Sequence, residues 1–276
     1  MSFAKQPESE PKISWGVKLL IGLSGVSLAV ASFSVGQATA PQKCDSKGGK
    51  NQTVLSSYIV ETGQIPSTDF SPSTSLQAQE FLAKLSAPTM NDVSRILGDK
   101  SATVTLVMFE DFSCPFCINW MHENWQKLDK LVKSGKVKVS WNFISFFKEY
   151  GSDIPQRAAW ALNKQGKMWE FIDAAYKSVD PKEGHPTWTE DMVLALVKNI
   201  PDVNMEKFTK DFNSNAAKAE VVAETDNARN FGVNGVPFFI VGDSVISGGQ
   251  SFEYFKNTVD FQLWVAKHPE LPRFKQ

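Results

Sequence analysis

Two of the three cysteines of this chain, Cys114 and Cys117, are separated by only Pro115 and Phe116. Such a pair can bind a metal, form a structural disulfide or carry out redox chemistry. Tetrahedral zinc needs four ligands, and the three histidines of the chain provide no second pair. A structural disulfide that closes so small a ring would add little loop entropy. The spacing therefore favours redox chemistry.

The elements on either side of the pair support this interpretation. Residues 102–109 are β-branched and apolar without a breaker, which predicts a buried strand. Pro115 is typical of the first position of a helix, so Cys114 is expected at its N-terminus. The unpaired N–H groups and the helix dipole favour a thiolate there. We expect an exposed Cys114 sulfur for attack and Cys117 beneath it to resolve the mixed disulfide.

The rest of the sequence predicts an α/β fold. Residues 136–146 indicate a second strand, parallel to the first by default because a helix connects them. Residues 155–231 are helical in character. A hairpin of two short strands is then predicted at Gly242-Asp243, and a closing amphipathic helix has Ser251 as its cap.

The N-terminal third of the chain is divided by composition. Residues 1–18 are charged and are predicted to stay in the cytoplasm, whereas residues 19–40 contain an uncharged run typical of a membrane anchor or a cleaved signal. Either outcome would place the remainder outside the cytoplasm, where disulfides persist. Residues 41–75 are predicted to be a linker or loosely packed arm, in which Cys44 is a free thiol or an intermolecular bridge. Residues 76–276 are predicted to form the main domain, beginning with a short helix.

Composition excludes some function classes. The 276 residues carry a formal net charge of −1, so no basic field indicates binding to nucleic acid. Three cysteines are too few for a disulfide-stapled scaffold.

Two motifs carry a resemblance to a known family. "GDKSATVTLVMFEDFSCPFC", which ends at Cys117, and "FGVNGVPFFIVGDSVISGG", residues 231–249, resemble the two signatures of the DsbA-like thiol:disulfide oxidoreductases. The resemblance implies a thioredoxin-like fold interrupted by an all-helical domain at about 152–231. It implies that Cys114 and Cys117 are catalytic, that Pro237 is cis, and that the Val236 backbone pairs with an extended client. No cofactor and no metal are expected.

The sequence departs from the family pattern at two points. Many relatives carry an acidic residue six positions before the first cysteine, as a proton relay, and that position is Met108 here. Glu110 is the predicted substitute, and Asp111 is predicted mainly to cap or turn the chain. Phe116 offers the Cys114 thiolate no hydrogen-bond donor, so we expect a less oxidising centre than one with Pro-His between the cysteines.

The expected function is an extracytoplasmic enzyme that passes its Cys114–Cys117 disulfide to reduced or unfolded secreted proteins. A membrane quinone-linked thiol oxidase is the expected partner for reoxidation. A disulfide reductase or isomerase on the same scaffold is the first alternative. The second is a binding or chaperone module whose cysteine pair is incidental.

Overall fold

The computed structural model of this chain describes residues 49–65 and 93–270. Within these ranges no helix is both long and apolar enough to span a bilayer. The anchor or signal predicted at 19–40, the short helix predicted near residues 76–86, and Cys44 lie outside the described residues.

A mixed sheet of five strands forms the centre of the described domain, in the order β1-β3-β2-β4-β5. β2 and β3 are parallel, as the sequence predicts, and the other neighbouring pairs are antiparallel. β2 is central, and its last four side chains are fully buried because both faces of the sheet are covered. The strands are β1 Ile96–Leu97, β2 Val104–Phe109, β3 Val137–Asn142, β4 Phe238–Val241 and β5 Ser244–Ser247.

The described residues also form eight α-helices. The second begins at the cysteine pair, with Cys114 as its N-cap and Pro115 at its first position, as predicted. It buries one face against the sheet, and Gly135 follows its end with a positive φ of 75°. The helices are α1 Gly49–Thr62, α2 Pro115–Lys133, α3 Asp153–Asn163, α4 Met168–Lys177, α5 Glu190–Lys198, α6 Met205–Phe212, α7 Asn215–Phe231 and α8 Phe252–Lys267.

Helices α3 to α7 form a continuous block between β3 and β4, where the sequence predicts a helical insertion. Side-chain caps mark several starts: Thr189 accepts a hydrogen bond from the N–H of Met192 before α5, and Ser251 accepts one from Tyr254 before α8. Ser251 is the cap that the sequence predicts, because a cap and the helix that it begins are neighbours in the chain.

The linker predicted for residues 41–75 is wrong for its central part, which is helix α1. Tyr58 is only 2% exposed, and its ring meets those of Phe261 and Trp264 on α8 edge to face, at centroid distances of 5.0 and 5.3 Å. The apolar side chains of α1 are few and lie among Ser, Thr and Gln, so its own periodicity is weak. Packing against α8 stabilises the helix, and local sequence does not reveal that partner.

Strand β3 ends at Asn142, earlier than the predicted residue 146. The next N–H groups leave the sheet because side chains of α7 accept them: Phe143 donates to Glu224 Oε2 at 2.6 Å, and Ser145 donates to Thr225 Oγ1 at 2.9 Å. The short edge strand β1 was not predicted, since two residues show no period.

Gly151 tests how closely the segment after β3 packs against Trp188. It has a φ of +71°, and an added Cβ would lie 2.5 Å from the carbonyl oxygen of Trp188. Gly166 has a similar φ of +67° but open space around it. Both alanine variants lose about 1–2 kcal/mol of stability because alanine disfavours a left-handed backbone conformation. We expect Gly151→Ala to lower the free energy of unfolding by at least about 1 kcal/mol more than Gly166→Ala. Urea titration measures both, and equal losses would contradict the clash.

Candidate active site

The turn between β2 and α2 is held by side chains of the helical insertion. Its backbone carbonyls accept hydrogen bonds one after another: Glu110 from Gln156 Nε2 at 2.9 Å, and Phe112 from Trp188 Nε1 at 3.1 Å. The Ser113 carbonyl lies 2.8 Å from Nδ1 of His185, which must donate because a carbonyl only accepts. The insertion therefore fixes the backbone that presents the cysteines.

Asp111 fixes the same turn from its carboxylate. It accepts hydrogen bonds from Ser113 N at 2.8 Å, Phe146 N at 2.7 Å and Phe147 N at 3.1 Å, and also from Ser152 Oγ at 3.0 Å. The hydrogen bond from Ser113 N closes the turn that the sequence predicts at Asp111. The other three join the turn to the segment that follows β3, a role that its position in the sequence does not indicate.

Both cysteines are free thiols and both are buried. The predicted exposed sulfur is therefore wrong for this state, because Cys114 is only 1% exposed. Its Sγ lies 3.5 Å from the carbonyl oxygen of Val236, to which it donates, and the peptide bond between Val236 and Pro237 is cis. The loop that precedes β4 thus covers the sulfur that the helix N-terminus presents.

The two thiols have opposite pKa shifts. A hydrogen bond from the Cys117 thiol lowers the pKa of Cys114. Burial of Cys114 opposes this effect, and the N–H groups of Cys117 and Phe116 add to it. Burial raises the pKa of Cys117 well above its ordinary value, and its hydrogen bond to Cys114 and the charge of Glu110 raise it further. Cys114 therefore forms the thiolate first, with Cys117 protonated beside it.

Glu110 is completely buried beneath the pair. Neither of its carboxylate oxygens meets the geometry of a hydrogen bond. Burial raises the pKa of this carboxyl well above its ordinary value, and the nearby Cys117 thiol offsets the rise only in part. Met108 lies in the apolar core, so Glu110 is the buried acid next to Cys117. A protonated carboxyl at this position can give a proton to the Cys117 thiolate, and the carboxylate that remains can take one back from the Cys117 thiol.

The rim of the site is apolar and close to the backbone. Phe116, between the cysteines, is 71% exposed. Opposite it lies Gly249, where an added Cβ would be 3.8 Å from both the Phe116 carbonyl oxygen and Pro237 Cγ. The Trp120 indole donates to the Gln250 carbonyl at 3.1 Å and holds this loop in place. The rim therefore presents one large apolar side chain beside accessible backbone.

The structure brings together the residues that the sequence singled out, namely Glu110, Cys114, Pro115, Phe116, Cys117, Val236 and Pro237. Sequence reasoning missed Gln156, His185 and Trp188. These three lie in the insertion, 46 to 76 residues beyond the carbonyl groups that they contact. The one local signal is at His185, where the flanking glycine and proline indicate a loop. That signal does not reveal which backbone group the histidine contacts.

A Cys-x-x-Cys pair at a helix N-terminus, beside a cis proline and at the end of a central strand, defines the thioredoxin-like dithiol proteins as the class. Comparisons with known proteins agree. The thioredoxin family model matches residues 90–261. The "Probable disulfide bond formation protein D" of Bacillus cereus is 34% identical over 173 residues, covering 60% of this chain and 77% of that protein.

Solved structures show the same fold. The thiol-disulfide exchange protein alpha-DsbA2 from Wolbachia pipientis aligns with a TM-score of 0.57 and 22% identity, over 68% of this chain and 94% of that one. Oxidised BdbD from Bacillus subtilis aligns with a TM-score of 0.56 and 22% identity, over 62% and 92%. The chain belongs to the thioredoxin family and is a DsbA-like thiol:disulfide oxidoreductase.

The hydrogen bond between the thiols gives the first prediction for the site. In the reduced chain, the pH at which Cys114 becomes half reactive towards iodoacetamide should lie below that of an ordinary cysteine. Cys117→Ala should raise this midpoint because the donor is lost, whereas Cys117→Ser keeps a donor and should raise it less. Rates of alkylation across the pH range measure the midpoints. If both variants match the unsubstituted chain, the interpretation fails.

Proposed function

We propose that this chain is a disulfide donor that oxidises secreted proteins through Cys114 and Cys117. The observation that carries the proposal is the opposite pKa shift of two neighbouring thiols. A thiolate that is stabilised on Cys114 stabilises the reduced enzyme relative to its disulfide. The disulfide is then the stronger oxidant, and a client thiol pair takes it up.

The exchange proceeds in two steps. A client thiolate attacks Sγ of Cys114, the Cys114–Cys117 bond breaks, and its electron pair remains on Cys117, which takes a proton. The second client thiolate attacks the client sulfur of the mixed disulfide and releases Cys114 as a thiolate. The client loses two electrons and two protons, and the enzyme pair gains the two electrons.

Glu110 is proposed to supply the proton in the first step. Cys117 leaves as a thiolate in a site where burial disfavours negative charge. The Glu110 carboxyl is kept protonated by its own burial, so it holds a proton near that sulfur. The Glu110 carboxylate that remains after the transfer is then reprotonated from solvent.

Val236 and Phe116 are proposed to receive the client. The carbonyl of Val236 accepts the Cys114 thiol here, and an extended client segment would take its place through backbone pairing. Phe116 would contact apolar client side chains. Pro115 supports the site as the first residue of α2, and Pro237 supports it as the residue that shapes the loop. Backbone pairing predicts low sequence selectivity close to the reacting cysteine.

An extracytoplasmic location and a membrane quinone-linked thiol oxidase complete the proposal. The uncharged segment within residues 19–40 supports a membrane tether, or a signal that is removed after export. The Bacillus relatives are named for disulfide bond formation, which favours the oxidative direction. Reoxidation of the Cys114–Cys117 pair needs an electron acceptor, and a quinone-linked oxidase is the proposed one.

A reductase or isomerase is the second candidate. The apolar Phe116 favours it, because this side chain adds no donor or positive charge to the Cys114 thiolate. The reduction potential of the pair separates the two directions.

The direction can be measured with the full chain in glutathione buffers. We expect a potential well above about −200 mV, together with disulfide formation when the oxidised chain meets a reduced unfolded protein. Cys114→Ser should abolish this transfer. Reduced Cys117→Ser should instead accumulate a mixed disulfide with a client that already contains a disulfide, because Cys114 attacks that bond and no second thiol resolves the product. A potential near about −270 mV would contradict the donor function and favour the reductase.

Glu110→Gln should increase stability and decrease activity. The unfolded carboxyl ionises near pH 4.5, whereas the buried one stays protonated to higher pH. Native stability of the reduced chain therefore falls as pH rises through that interval. The glutamine variant should lose less, keeping only the part that Asp111 and Glu224 cause, because burial raises the pKa of these carboxyls as well. Exchange with a client should slow by about tenfold or more, because the proton donor is absent.

Urea titrations at pH 4 and pH 7 and stopped-flow exchange rates measure the two effects. The exposed Glu123→Gln is the matched control and should show neither. An unchanged exchange rate in Glu110→Gln would remove Glu110 from the mechanism.

A further inference from the structure

A cavity of about 330 Å³ lies beside the segment that follows β3, between α3 and α7. None of the residues proposed for the exchange lines it. Its walls combine basic, acidic and apolar side chains. The lining residues are Ser145, Lys148, Asp153, Arg157, Lys218, Val221, Val222, Thr225, Asp226 and Arg229.

The cavity has an excess of positive charge. Four of its residues are basic and two are acidic, in a chain whose formal net charge is −1. Lys148 and Lys218 make no ion pair with any residue of the described ranges. Arg229 lies 3.8 Å from Asp226, and both of these side chains are more than half exposed. The local field therefore favours an anionic group.

Arg157 gives the cavity a fixed cation. It is only 6% exposed, and its guanidinium lies 4.6 Å above the centre of the Phe212 ring. One terminal nitrogen donates to Glu190 at 3.2 Å, and Nε lies 3.5 Å from Asp153 without forming a hydrogen bond. This buried donor is held in place and still has hydrogen-bonding capacity for a carboxylate.

The remaining wall is apolar. Val221 is buried, whereas Val222 is 53% exposed although it is a large apolar residue. A bare inorganic anion would leave this wall unused. A carboxylate on an aliphatic stem, as in glutamate, would place its charge near the basic residues and its methylene groups against the valines.

The cavity and Val236 are linked through Phe146 and one apolar cluster. The guanidinium of Arg229 lies 5.1 Å from the centre of the Phe146 ring. Phe146 and Val236 both pack against the same apolar cluster, which includes Val107, Phe109 and Phe238. Val236 in turn contacts Cys114. Phe146 is partly exposed, so a client segment that pairs with Val236 would reach the cavity by passing over this ring.

We propose that this cavity is a subsite for an acidic side chain, above all glutamate, of the polypeptide that reacts at Cys114. The subsite rests on the proposed exchange with polypeptides, but it does not depend on the direction of that exchange. The subsite would select clients by a side chain at some distance from their reacting cysteine. Backbone pairing with Val236 alone does not distinguish one client side chain from another.

The test uses the full chain with Cys117→Ala, reduced, and cysteine peptides activated with thionitrobenzoate. The Cys114 thiolate attacks the peptide sulfur, the peptide–thionitrobenzoate bond breaks, and the coloured thiolate leaves, so one disulfide replaces another. The peptides are identical except for a single glutamate, glutamine or lysine, which is moved one residue at a time away from the cysteine. Because every peptide reacts by the same step, a failure of the donor function does not prevent this reaction.

At one or more positions, the glutamate peptide should react about threefold or more faster than its glutamine counterpart, and the lysine peptide should react more slowly. The preference should weaken at high salt. Lys218→Glu on α7 and Lys148→Glu on the segment after β3 should each abolish or reverse it. Two variants on separate elements keep the test decisive if one of them fails to fold.

Lys136→Glu is the matched control. It changes the net charge by the same amount, and Lys136 is an exposed residue just before β3, at the end of the sheet opposite to the cysteines. It should leave the preference for glutamate unchanged. Equal rates for all three peptides at every position, or equal effects of Lys136→Glu and Lys218→Glu, would overturn the subsite.

Discussion

The buried carboxylate of Asp111 is the interaction on which the rest of the site depends. It lies between the strand that ends at Phe109 and the helix that begins at Pro115, and it accepts hydrogen bonds from both the turn and the segment after β3. A buried charge is costly unless hydrogen bonds satisfy it, and removing partners leaves that cost uncompensated. The turn and the segment at 145–152 therefore keep their positions together.

The same constraint makes the helical insertion part of the active site. The carbonyls of the turn accept hydrogen bonds from the side chains of Gln156, His185 and Trp188. The backbone that leads into Cys114 is therefore held by residues from a different part of the chain. A turn whose carbonyl groups are satisfied in this way is rigid, and the thiol, the helix N-terminus and the Val236 carbonyl keep a fixed geometry. The insertion also provides α3 and α7, which form the walls of the basic cavity.

In the proposed mechanism, Glu110 meets one chemical requirement from a different place in the sequence. The proton relay needs a buried acid near the second thiol, whichever residue carries it. Met108 fills a core position on β2, and Glu110 follows the strand end, where its carboxyl lies near Cys117. The family pattern alone would have marked this protein as lacking the acid. The proposed role of Glu110 rests on the burial of its carboxyl and on its closeness to Cys117.

The sequence by itself determined the elements whose signals are local. The apolar run before Phe109, the Pro115 helix start, the caps at Thr189 and Ser251 and the hairpin at Gly242 were predictable, because the residues that define each element are neighbours in the chain. Only the tertiary structure decided the burial of Cys114, helix α1, the roles of His185 and Trp188, and the charge of the cavity. These features depend on groups that lie tens of residues apart and meet only through packing, and no periodicity or spacing encodes which partner they meet.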